Sequence, residues 1–69
     1  LGFDLVRPGF VRLQVFDARG AAVATLVEGW REAGRHEAAW SAAGVPSGVY
    51  FSRLFVDGAV RTRKLVVRH

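Results

Sequence analysis

The sequence predicts an all-β fold, a small β-sandwich of about six to seven short antiparallel strands. Three observations predict it. Turn signals recur roughly every eight to twelve residues, the spacing of short strands joined by tight turns. Val11, Leu13 and Val15 alternate with Arg12 and Gln14, the mark of a half-buried strand. Val49–Val56 is rich in β-branched and aromatic residues and carries apolar side chains on both faces, as a strand with neighbours on either side does.

The elements follow in order. Phe3–Val6 reads as a first strand, ended by Arg7-Pro8-Gly9. Phe10–Asp17 is the second, with Phe10 and Phe16 as apolar exceptions on its polar face. Asp17-Ala18-Arg19-Gly20 is a tight turn, because Asp bonds its own backbone two residues on and Gly accepts a left-handed position. Ala21–Val27 is the third strand, with Val23 and Leu26 as its strongest apolar positions. Their spacing of three also suits a helix, but the segment between the turn and Gly29 is short for one. Glu28–Gly34 is expected to be a polar loop carrying Trp30, and Arg35–Trp40 the fourth strand.

The segment around which the chain is organised follows. Pro46 and Gly48 form a turn feeding Val49–Val56, with Tyr50, Ser52, Leu54 and Val56 on one face and Val49, Phe51, Arg53 and Phe55 on the other. Asp57-Gly58 is the strongest hairpin signal in the chain. It leads into Val60–Arg68, where Leu65 and Val67 point inward on the same side as Arg61 and Arg63, and Thr62 and Lys64 point outward. Exposed sheet edges are expected to be blunted by Arg and Lys.

Composition narrows the class. Sixty-nine residues make one domain. A chain this short buries only about 60% of its unfolded surface, so its margin of stability is thin. It has no cysteine, and no cysteine–histidine cluster for a structural metal, which leaves a dense apolar core as the source of stability. There is no signal peptide and no apolar run near the roughly 18 residues of a membrane span, so no transmembrane segment is expected. The chain opens on Leu1 and is read as a module of a longer protein. The net charge is +4, with only Arg61, Arg63, Lys64 and Arg68 concentrated. No aromatic residue is interleaved with them, so the basic segment reads as a solvated face and tail and no nucleic acid is expected as a partner.

No catalytic constellation stands out. Asp17 and Asp57 belong to turns, and Ser41, Ser47 and Ser52 lack a nucleophile context. Gly34, Gly44 and Gly48 precede no helix that could hold a phosphate. No enzyme activity, metal or cofactor is expected. His36 reads as structural and His69 as a mobile terminal residue. Trp40 and Tyr50 read as core. Trp30 is the one candidate for an exposed ring, and gives the alternative reading, an accessory carbohydrate-binding module with Trp30 on the sugar.

Several fragments together resemble a family. They are Val11–Leu26 with its Asp-x-x-Gly turn; Ala33-Gly34-Arg35-His36 followed by Trp40; Pro46-Ser47-Gly48-Val49-Tyr50-Phe51 followed by Leu54; and Thr62–Arg68. In order and spacing they resemble the C-terminal sorting domain of the type IX (Por) secretion system, which is related to the immunoglobulin-like domain of the flagellar hook-capping protein. The short link from Trp40 to Gly48 resembles the sorting type. His69, after the terminal basic residue, is a departure.

The resemblance implies a small immunoglobulin-like β-sandwich at the C-terminus of a larger secreted protein, a hydrolase or an adhesin. It implies passage across the outer membrane and attachment to the cell surface. The partners would be the secretion and attachment machinery and the parent's N-terminal domains, with the module itself monomeric. It points to Gly48, Tyr50, Lys64, Leu65, Val66, Val67 and Arg68 as recognition residues. Lys64, outward-facing with no evident packing role, is the strongest candidate among them.

Overall fold

Six antiparallel strands form two sheets in the computed structural model, which describes all 69 residues. The strands are β1 (Gly2–Leu5), β2 (Gly9–Asp17), β3 (Ala22–Arg31), β4 (Gly34–Glu37), β5 (Gly48–Val56) and β6 (Ala59–Val67). β1 and β4 make the smaller sheet, and the larger runs in the order β3-β2-β5-β6. The chain is thus an all-β sandwich of six strands. No helix is long and apolar enough to cross a membrane.

The two sheets are one ribbon bent back on itself. The β2–β3 ladder ends at Gly9↔Arg31, and the β1–β4 ladder begins at Leu5↔Gly34. Only Val6–Pro8 and Glu32–Ala33 separate them, so both strands of the ribbon turn the corner together. Pro8 suits a corner because it has no N–H to leave unpaired. The fold-back lays Phe3 and Leu5 onto Val11, Leu13 and Val27, which form the first core cluster. The second gathers Val15, Tyr50 and Val67, roofed by Trp40, Ala42 and Val45 from the connection between β4 and β5. Only ten residues are buried, so one core side chain is a large share of the stability.

Three local expectations are corrected. β3 does not stop at Val27: Glu28, Gly29, Trp30 and Arg31 continue it rather than forming a loop. Gly29 lies opposite Val11, Trp30 opposite Phe10, and Glu28 opposite Arg12, whose Nε donates to the Glu28 carboxylate at 2.9 Å. The polarity of this segment belongs to the solvent face of a strand. β3 also contains two register shifts. Leu26 is the extra residue between the Leu13↔Val27 and Gln14↔Thr25 pairs, and Val23 the extra one between Val15↔Ala24 and Phe16↔Ala22. Bulges place neighbouring residues against one partner and break the period of two. That accounts for the helix-like spacing of Val23 and Leu26. Val23, expected as a leading apolar anchor, is exposed.

β4 in turn ends at Glu37, short of Trp40. Trp40 is half-buried in the connection to β5, its ring edge-on to Tyr50 with centroids 5.6 Å apart. The smaller sheet has only two strands, and the β4–β5 connection roofs only the far end of the larger one. The inner face around Leu54, Val56, Arg61 and Arg63 therefore stays open, as a groove beside β1.

Candidate functional site

β6 is set by the turn before it. Asp57 (φ 47°) and Gly58 (φ 78°) both take left-handed conformations, the requirement of a two-residue type I′ hairpin. This fixes Val56↔Ala59 as the first pair and carries the register unbroken to Gly48↔Val67. In an antiparallel ladder the bonded pairs alternate, so the backbone groups of Val60, Thr62, Lys64 and Val66 point away from β5. β6 is the last strand of its sheet, and those groups form an open edge.

Lys64 lies on the outward face, in a cross-strand row with Phe51 and Phe16. Over the Phe16 ring, at 5.4 Å from its centroid, stands the Arg53 guanidinium. Lys64 is exposed and belongs to none of the four ion pairs of the chain, which leaves its ammonium available to a partner.

The structure divides the other sequence candidates. Gly48, Val66 and Arg68 are exposed and Leu65 is half-buried. Tyr50 (5% exposed) and Val67 (8%) are core residues, so neither side chain reaches a partner in the folded domain. The apolar packing that fixes the β5–β6 pair takes them inward. Trp30 is exposed (63%), as is Phe10 (50%) opposite it. With Arg12, whose guanidinium sits 6.0 Å from the Phe10 centroid, they form a small aromatic and cationic patch. Trp30 is on β3 and Lys64 on β6, at opposite edges of the sheet, roughly 14 Å apart across the strands and about 20 Å apart along them, the distance from the Phe10 row to the Phe16 row. They are two patches, not one site. Phe10 was legible as an apolar exception on a polar face, but its partner was not, because the segment bearing Trp30 read as a loop.

Arg35, Asp17, His36 and His69 are engaged locally. Arg35 bridges Glu37 at 3.0 Å and Asp4 at 3.3 Å, and the hydrogen bond to Glu37, then the charge of Asp4, raise its pKa. Asp17 accepts the amides of Arg19 at 2.9 Å and Ala21 at 3.0 Å. His36 stacks on Phe3 and donates from Nε2 to the Glu32 carbonyl at 2.6 Å, a bond that holds the corner. His69 is docked, contrary to the mobile terminus expected. Its amide donates to the Ser47 hydroxyl at 3.1 Å and its Nε2 to the Val45 carbonyl at 2.7 Å. No three or more His, Asp or Glu residues come together as a metal site would require. Compared with family models, curated proteins and solved structures, the chain finds no match.

Proposed function

We propose that this chain is a non-catalytic C-terminal module that directs a larger secreted bacterial protein, a hydrolase or adhesin, across the outer membrane and attaches it to the cell surface. The sequence resemblance motivates the reading. The observation that carries it is the placement of Thr62–Val67: this segment lies on an open-edged strand, with Lys64 exposed and in no ion pair, and Arg68 follows directly. A rigid, immunoglobulin-like sandwich would then dock as a monomer on the secretion and attachment machinery through β6. Deleting the 69 residues from the parent should release it into the medium or trap it in the periplasm. Lys64→Ala should do so in part. Unchanged surface display after the deletion would overturn the reading.

A second reading has one observation in its favour. The exposed Phe10–Trp30 pair offers two neighbouring rings, as a module that stacks on sugars requires. On that reading, Trp30→Ala abolishes retardation in an affinity gel containing polysaccharide, and Lys64→Ala leaves it unchanged.

A further inference from the structure

The groove between β1 and β6 is a second surface, on the opposite side of the larger sheet from the Lys64 side chain. It encloses about 750 Å³. Leu13, Leu54 and Val56 contribute its apolar floor. β1 forms one wall, and it is paired on one side only, with β4, so its other edge carries unpaired backbone N–H and C=O groups. Arg61 and Arg63 form the other wall. They share a face with half-buried Leu65 and buried Val67, yet both are exposed, because no strand of the smaller sheet lies above them.

We propose that this groove accepts an extended segment of a partner protein, with acidic and apolar residues alternating, as a third strand of the smaller sheet. A strand added to β1 would lie about 4.8 Å from it and about 10 Å above the β5–β6 face, over the uncovered area. Main-chain bonds to β1 would supply affinity and alternate side chains specificity, the usual division in strand addition. Alternate side chains face opposite sides, so the carboxylates point down, their aliphatic stems over Leu54 and Val56 and their heads toward Arg61 and Arg63, and the apolar side chains face outward.

Charge complementarity selects the acidic partner. The lining holds Arg7, Arg35, Arg61 and Arg63 against Asp4 and Asp57. Arg35 is committed to Asp4 and Glu37, while Arg7, Arg61 and Arg63 make no ion pair. The free-edged β6 of a second copy is a poor occupant, since it carries Arg61, Arg63 and Lys64 and would bring like charges together. The inference goes beyond surface attachment and does not depend on it, since the groove is complete within this chain.

The test is a titration of the ¹⁵N-labelled chain with a blocked peptide of four Val-Glu repeats, followed by NMR. The expected result is saturable shifts at the amides of Asp4, Val6, Leu54 and Arg61, weakening as salt rises. The Arg61→Gln/Arg63→Gln double variant should bind at least tenfold more weakly. Both residues are exposed, and an unchanged spectrum elsewhere establishes that the variant is folded. A Val-Lys peptide that binds as well, shifts confined to the outward face around Phe51 and Lys64, no saturable shift, or a double variant of parental affinity would each overturn the proposal. Concentration-dependent shifts of the groove amides without peptide would do the same, by assigning the groove to a second copy.

Discussion

Tyr50 donates its phenolic hydroxyl to the carbonyl of Pro46, four residues upstream and 2.7 Å away. The bond closes the turn that feeds β5, and the Tyr50 ring beneath it packs with Val15 and Val67. Gly48, at the head of β5, pairs with Val67 near the end of β6. The Gly-x-Tyr segment therefore acts on the terminal strand from inside, by holding its partner strand in place.

Tyr50→Phe removes that bond and keeps the ring. The loss should be about 0.5–1.5 kcal/mol, or a fall in Tm of roughly 4–8 °C for each kcal/mol in a domain this size. Tyr50→Ala should cost about 3–5 kcal/mol and leave the chain largely unfolded near body temperature. Thermal denaturation followed by circular dichroism measures both; an unchanged Tm in Tyr50→Phe would mean the hydroxyl contributes nothing net.

Gly58→Ala tests the hairpin. No atom lies within 4 Å of the position an added Cβ would take, so the penalty is purely conformational. A left-handed non-glycine residue costs about 1–2 kcal/mol. Asp57→Asn, which tolerates the same region, should stay within about 0.5 kcal/mol of the parent. In urea, Gly58→Ala should lower the midpoint and leave the slope unchanged. A changed slope would instead indicate a different unfolded ensemble or an intermediate.

Asp17 makes the stability depend on acid. Its carboxyl is held below the usual carboxylate range, first by the Ala21 amide; burial opposes this, and the hydrogen bonds and charge of Arg19 reinforce it. The folded pKa is thus below the unfolded one, and between the two the unfolded chain binds more protons, so stability rises with pH. The contribution is complete above about pH 4 and is lost as pH falls through the folded value. Asp17→Asn should therefore lower Tm most at neutral pH, with the gap to the parent closing in acid. A gap that stays constant with pH would show that the charge of Asp17 is not engaged.

The strands β2, β5 and β6 were legible because each states its period and is bounded by a turn with a specific chemistry, Asp17–Gly20 or Asp57-Gly58. The end of β3 was not, since Glu28 and Gly29 carry loop composition until Arg12 and Val11 are known to lie opposite them. Trp40 was read as a core residue on a strand, yet it is half-buried and lies in the connection: what cover it has includes the Tyr50 ring, a contact no local pattern encodes. The inward parity of Arg61 and Arg63 was also plain. What it meant was hidden, because only the width of the smaller sheet decides whether an inward arginine is covered or lines a groove. The docking of His69 rests on Val45, 24 positions earlier, beyond the reach of periodicity.

The bent ribbon also gives the chain a way to assemble. Leu1 and Ala38 are 37 positions apart, yet their main chains exchange a bond at 2.8 Å. Closing that loop in one step would carry a large entropic cost. Instead, a hairpin nucleated at Asp17–Gly20 can zip outward through Gly9↔Arg31, round the corner, and on to Gly2↔Glu37. Each pair formed shortens the search for the next. Distant ends can thus be joined by a succession of local steps, with the ladder interrupted only at the corner, between Gly9↔Arg31 and Leu5↔Gly34.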